Sequence, residues 1–312
     1  MAELSWIKEP LAALESTFED SWIDSGLSSW HIIFIISIIY MMLIYPLRQW
    51  MEPREPYKLR GPLLAWNLII GMFSILGTAR VLPDFISSIY HDGFYASLCE
   101  SNYFSKEHVG IWGYLFICSK IPELIDTLFI ILRKQKLIFL HWYHHASTLV
   151  FAWRMYSTRS SVAYWFCVMN YFVHSLMYTY YAIRAAGFRV NKKIAMLITS
   201  LQLLQMFVGI FAVVYAVHQI VNGNRCDTKT PELIFGVAIY TSYMVLFANF
   251  FYNAYIKDKG PRARKSHDVA DSKKVKEVNG NGTYDGVNGK GDHLISNGNG
   301  HTMRLRNTPV QQ

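Results

Sequence analysis

The chain has 312 residues, of which 52% are hydrophobic, 15% aromatic and 17% charged; globular proteins average about 25% charged residues. The charges are clumped and leave apolar runs long enough to cross a bilayer core of about 30 Å. This composition excludes an ordinary soluble domain. The formal net charge of +8 sits in loops and in the tail, so membrane lipid is the expected partner and nucleic acid is not.

In chain order, residues 1–29 form an acidic segment with Glu15, Glu19, Asp20 and Asp24. Lys8, Glu15 and the Glu19–Asp20 pair interrupt any short apolar stretch near Met1, so no cleavable signal peptide is expected. Seven spans follow: Trp30–Leu47, Leu63–Val81, Val109–Leu132, Leu137–Met155, Val162–Ile183, Ile194–Ile220 and Leu233–Ile256. Every second connector is basic. Arg48, Arg54, Lys58 and Arg60 occupy one; Arg133, Lys134 and Lys136 the next; Arg184, Arg189, Lys192 and Lys193 a third; and Lys257 to Lys265 follow the last span. By the positive-inside rule these connectors are cytosolic, which puts the N-terminus in the lumen and requires an odd number of spans. The expected organisation is a lumenal segment 1–29, a membrane domain 30–256 and a basic cytosolic tail 257–312. The tail is rich in Lys, Asp, Asn and Gly, a composition that buries too little to offset ordering and predicts disorder. Its sequon at Asn281 is expected to be unused on the cytosolic side, and no lysine pair stands near the C-terminal Gln312.

The cysteines agree with this topology. Cys118 and Cys167 fall within spans, whereas Cys99 and Cys226 fall in the two longer connectors of the opposite side. An oxidising lumen permits a Cys99–Cys226 disulfide; the alternative is a pair of free loop thiols.

Ionisable residues inside a span are costly and usually functional. His141, His144 and His145 share an arc of about 100° at helical spacing, and so do Asn170, His174, Met177, Tyr178 and Tyr181. The third span offers Lys120, Glu123, Asp126 and Thr127, with Lys120, Glu123 and Thr127 within about 60°; the sixth offers Thr199, Gln202 and Gln205. At the rise of a helix, His144 lies about 12 Å in from Lys136, His174 about 15 Å in from Arg184, Glu123 about 15 Å in from Arg133 and Gln202 about 14 Å in from Lys193. Four spans therefore bring acids, amides and imidazoles to one level, with Lys120 deeper at about 20 Å. Taken singly, each group could be a satisfied interhelical hydrogen bond. Their common depth argues for a chamber.

Two chemistries fit such a chamber. The His-x-x-His-His spacing resembles a box of the membrane di-iron desaturases and hydroxylases, but this chain supplies one box plus His174. A single divalent ion held by these histidines with Glu123 or Asp126 stays open. The other chemistry is nucleophilic: burial disfavours the charged form of imidazole and leaves a lone pair available, and a carboxylate nearby could orient the ring. The basic rim of Arg133, Lys134, Lys192 and Lys193 suits a phosphate-bearing head, and the apolar interior suits a long tail. An acyl-CoA has both. Cys118 is the rival nucleophile, but at about 200° from Lys120 it points away. A seven-span receptor is the non-enzymatic alternative; Leu132-Arg133-Lys134 ends the third span where such receptors carry Asp-Arg-Tyr, and the last span lacks Asn-Pro-x-x-Tyr.

Four ordered motifs, KIPELIDT (Lys120–Thr127), HWYHH (His141–His145), NYFVHSLMYTYY (Asn170–Tyr181) and TSLQLLQ (Thr199–Gln205), resemble those of the ELOVL family of fatty-acyl elongases. FIILRKQKLIFLHWYHH and YYAIRAAGFRV look most like the sixth-member type; the Asn/Gly-rich tail departs from it. The resemblance implies an all-α membrane protein of the endoplasmic reticulum, with six of seven helices in a barrel around an acyl-CoA tunnel. It implies a 3-ketoacyl-CoA synthase that condenses a long-chain saturated or monounsaturated acyl-CoA with malonyl-CoA, without a metal or other cofactor. Carried over by motif position, His144 takes the acyl group and His174 assists decarboxylation or condensation. His141 and His145 hold the geometry, with Asp126 and Glu123 as orienting partners. Lys120, Arg133, Asn170, Tyr180, Thr199 and Gln202 contact the CoA-bearing substrate. The implied partners are the ketoacyl reductase, dehydratase and enoyl reductase of the elongation cycle, and further elongase copies, like or unlike, in an oligomer.

Overall fold

The structure is a computed structural model that describes residues 30–105 and 107–257. The expectations for the acidic segment 1–29, and for the tail and its sequon from residue 258 onward, fall outside the described residues. Among those described there is no strand. The helices are α1 Trp30–Met51, α2 Arg60–His91, α3 Gly93–Cys99, α4 Glu107–Ser119, α5 Ile125–Leu132, α6 Phe139–Ser157, α7 Ala163–Ala185, α8 Lys192–Val221 and α9 Thr230–Phe251. Short 3-10 turns at Asn102–Ser105 and Pro122–Leu124 precede α4 and α5, and a π-helical turn, Tyr252–Ile256, prolongs α9.

Four of these are long and apolar enough to cross a membrane: α1, α2, α8, and α9 with its π turn. Their outward faces carry large exposed hydrophobics, such as Phe34, Met42, Ile69, Phe207 and Val245, which water would not tolerate in such a row. The expected third span, Val109–Leu132, is instead two helices, because Pro122 has no N–H to donate and crowds the preceding turn. Lys120 and Ile121 close the break with turn-type bonds to Ile117 O and Cys118 O, each at 3.2 Å. This break falls among the polar residues Ser119, Lys120 and Glu123.

The helices approach closely where small residues permit it. In α2, Gly71, Ser74 and Gly77 recur every three residues and face α7, its most extensive neighbour. A Cβ on Gly77 would lie 2.4 Å from the Tyr171 ring, so this tyrosine sits where any larger residue would stand. The same device joins α8 to α9, where a Cβ on Gly209 would lie 2.3 Å from Tyr240. Small residues at such contacts are a common means of helix packing where lipid removes the hydrophobic drive. The α7 helix ends at Gly187, whose φ of +96° closes the C-terminus. Arg60 occupies the space beside it and donates to the carbonyls of Ala185 and Ala186.

At the opposite end the connectors are stapled. Cys99 and Cys226 form the expected disulfide, with Cα atoms 4.3 Å apart. The Asp227 N–H donates to Cys99 O at 2.7 Å, and the Asp227 carboxylate accepts from the Ser101 N–H, the Ser101 hydroxyl and Arg225. Partial burial alone would raise the Asp227 pKa, but these donors outweigh it and hold the carboxyl below its ordinary value.

Candidate active site

The break after α4 delivers two opposite charges into the interior. Lys120 is 3% exposed and Glu123 4%; Lys120 Nζ donates to Glu123 Oε1 at 2.7 Å and to Asn170 Oδ1 at 3.0 Å. Ser119 Oγ donates to the same Glu123 oxygen at 3.0 Å, and His174 Nδ1 stands 3.9 Å from it. A buried ion pair holds only when further hydrogen bonds satisfy it. Ser119 and Asn170 supply them. Asn170, His174 and Tyr178 recur every four residues on α7, so one face carries all three.

Asp126, expected beside an imidazole, is held otherwise. Trp66 Nε1 donates to Oδ1 at 2.6 Å and the Tyr178 hydroxyl to Oδ2 at 2.6 Å. Thr127 was expected on the face of Lys120 and Glu123; it turns instead to α1 and α6, with its hydroxyl 2.6 Å from the Tyr40 hydroxyl and 3.0 Å from His141 Nε2. The cause is the Lys120–Leu124 segment: it is not α-helical, so 100° per residue does not carry through it.

On α6, the His141 and His145 rings lie 4.4 Å apart. His144 points elsewhere, between His145, at 5.8 Å, and the α9 rings of Tyr243 and Phe247, at 4.8 and 5.9 Å. The Tyr243 hydroxyl is fixed by Ser147 and Thr148, at 2.8 Å each. Tyr143 reaches Ser242 of α9 at 2.9 Å. Tyr143 and His144 thus meet α9, whereas His141 meets Thr127 of α5.

A cavity opens beside this layer. His144 and Asn170 line it, together with Thr148, Gln205 and Tyr243 at the same level. From there it runs between α4, α6 and α7 along Phe116, Phe151, Ala152, Met155 and Cys167 to Tyr103, Tyr164 and Val81. Of the residues given a role from the sequence, His144 and Asn170 line the cavity; Lys120 bonds Asn170, and Glu123 and His174 cluster with Lys120, while His141, His145 and Asp126 are not in the lining. Gln205, a member of the polar stripe of α8 to which no role was given, lines the wall in place of Gln202. The Gln202 amide meets Met177 Sδ at 3.2 Å. Thr199 bonds Ala195 O and Tyr255, at 2.9 and 3.3 Å, Tyr180 packs its ring 5.7 Å from Tyr181, and Arg133 caps α5 at the basic end. Tyr178 stands in the polar stripe already read on its span; Thr148 follows His144 by four residues, a spacing that could have found it, whereas Trp66, in a span of apolar neighbours, gave no signal. Cys118 does not line the cavity, whereas Cys167 does. Among the described residues no group of three or more His, Cys, Asp and Glu side chains is arranged to hold a metal ion.

A profile of the ELO: GNS1/SUR4 family matches residues 25–263. The chain is 44% identical over 247 residues to the very long chain fatty acid elongase 6 of Drosophila melanogaster, covering 77% of each chain. It is 43% identical to the elongase 6 of Gallus gallus, covering 76% of this chain and 89% of that one. To the elongase 6 of Homo sapiens it is 42% identical, covering 73% and 86% respectively. The match spans the membrane helices and the polar layer alike, and the chain belongs to the ELO (GNS1/SUR4) family of multi-pass membrane proteins.

Proposed function

We propose that this chain is a 3-ketoacyl-CoA synthase, the condensing enzyme that lengthens a long-chain saturated or monounsaturated acyl-CoA by two carbons from malonyl-CoA. The observation that carries the reading is the cavity: one buried end presents the imidazole of His144, and the rest is an apolar channel suited to an alkyl chain. The relatives, named as very long chain fatty acid elongases, support the same class.

In this reading a ring nitrogen of His144 attacks the thioester carbonyl. The C–S bond breaks, coenzyme A leaves as thiolate and is protonated, and the acyl group stays on the imidazole. Malonyl-CoA then loses carbon dioxide, and the resulting enolate attacks the acyl carbonyl; the new C–C bond forms as the C–N bond to His144 breaks. Dividing the condensation in this way lowers each barrier, and the closed channel keeps water from the acyl-imidazole. His174 assists decarboxylation, and its approach to Glu123 and Lys120 gives that pair an orienting role. Thr127 and Tyr40 hold His141, and His145 packs on His141. Asn170 meets the substrate near its thioester, with Lys120 bonded behind it; Arg133, Tyr180, Thr199 and Gln202 serve the CoA portion toward the basic loops. The mechanism calls on no metal or other cofactor.

The proposed setting is the endoplasmic reticulum membrane, with seven spans, six of them in a barrel around the tunnel, the N-terminus lumenal and the C-terminus cytosolic. A reductase, a dehydratase and a second reductase convert the 3-ketoacyl-CoA back to an acyl-CoA, and elongases alike or different share the membrane as oligomers. The test is the purified full chain in detergent with palmitoyl-CoA and malonyl-CoA. Equal amounts of carbon dioxide and 3-ketoacyl-CoA are expected, and neither from His144→Ala. A folded wild-type protein that yields no ketoacyl product overturns the reading.

A further inference from the structure

The cavity that begins at His144 ends on two stacked rings. Tyr103 and Tyr164 lie 4.5 Å apart with planes 15° from parallel. Both hydroxyls are spent on main-chain carbonyls, Tyr103 on Ser160 O at 2.6 Å and Tyr164 on Val81 O at 3.0 Å. Phe85 packs edge-on against Tyr164 at 5.5 Å. The segment that carries Tyr103 is itself anchored, by the Cys99–Cys226 disulfide and by the bonds from Ser101 to Asp227.

Beyond the rings lies a second hollow with a different lining: Ser88, Asp92, Ser97, Glu100 and Asn102. Tyr103 and Tyr164 are the two residues common to both linings. The stacked pair therefore stands as a partition between an apolar space and a polar one. Along α6, the lining residues from His144 to Tyr156 span about 18 Å, so the partition stands a long alkyl chain away from the reacting imidazole.

We propose that the Tyr103–Tyr164 pair is the stop for the methyl end of the acyl chain and sets the longest product that this protein makes. The inference rests on the reading of the cavity as the acyl site. A chain that grows past the stop must displace rings tied to the backbone, or enter a hollow lined by carboxylates and hydroxyls. Ala163, beside Tyr164 in the cavity lining, lies where added bulk would shorten the channel.

The test is elongation of a graded series of saturated acyl-CoA primers, with product lengths read by mass spectrometry. Tyr103→Ala joins the two hollows. Its preference is expected to move longer by at least one two-carbon step, with the rate on the longest wild-type product raised about tenfold relative to the preferred wild-type primer, the scale of discrimination that a methylene earns in an apolar pocket. Tyr103→Phe keeps the ring and returns product lengths to those of the wild type. Ala163→Leu is expected to move the preference shorter by a step. If Tyr103→Ala does not fold, Ala163→Leu decides alone. Unchanged product lengths in the variants that fold overturn the inference while leaving the condensation intact; a wild-type protein without condensation removes the reading beneath it.

Discussion

Around Lys120 the buried polar groups bond to one another, and around Tyr103 they bond to the main chain. At the first end, Lys120 holds Glu123 and Asn170, Ser119 also holds Glu123, and Asp126 is shared by Trp66 and Tyr178. At the other end, the hydroxyls of Tyr103, Tyr164 and Tyr156 donate to the carbonyls of Ser160, Val81 and Gly110. A carbonyl has two lone pairs, and Ser160 O already accepts from the Ala163 N–H at 3.0 Å. Losing a tyrosine hydroxyl there orphans nothing. Losing a partner in the polar layer strands a charge. The difference teaches that one end holds buried charge at some risk to stability, and the other is tied to the backbone.

Variants can break or sharpen this contrast, read by thermal unfolding in detergent with elongation measured beside it. Glu123→Ala leaves the Lys120 ammonium in the interior without its counter-ion, at an expected cost of about 3–5 kcal/mol and with loss of activity. The double variant Lys120→Met, Glu123→Leu removes both charges and should recover most of the stability but none of the activity. If it is no more stable than the single variant, the stranded charge is not the cause. Cys99→Ser opens a loop with a sequence separation of 127 residues and should cost about 2–4 kcal/mol. Tyr178→Phe removes one of the two donors of the buried Asp126 and should cost about 1–3 kcal/mol. Tyr156→Phe, at the end tied to the backbone, should cost about 1 kcal/mol or less; a cost equal to that of Tyr178→Phe would erase the contrast.

The smallest effect is expected at Asp227. Its folded carboxyl lies below the ordinary value, so the anion stabilises the native state above that ordinary value. The contribution is lost as the pH falls through the lowered native one. Acidification below pH of about 4 should therefore lower the unfolding temperature of the wild type more than that of Asp227→Asn.

The helices α1, α2, α8 and α9 were legible because an uninterrupted apolar length is a direct consequence of bilayer thickness. The polar layer was legible for the opposite reason: His144, Asn170, Lys120 and Glu123 stand out against such a background. The break between α4 and α5 escaped a reading by helical angle, because Pro122 lies inside an otherwise continuous apolar run. Hence Thr127, beyond the break, turns to Tyr40 and His141, while Lys120 and Glu123, within it, come together. Gln202 and Gln205 differ by about 60° on α8, less than a sequence can resolve about which one meets a cavity. The Tyr103–Tyr164 partition joins a connector to a helix start, and no periodicity reports that. The disulfide was legible because two connectors on one side each carried a cysteine.

The most direct test of the account is intact-mass analysis of the protein after incubation with palmitoyl-CoA alone. The account predicts a single palmitoyl adduct, mapped by peptide analysis to His144 and discharged as 3-ketostearoyl-CoA when malonyl-CoA is added. An adduct on Cys118 or Cys167, or active protein that carries no adduct on any residue, would contradict it.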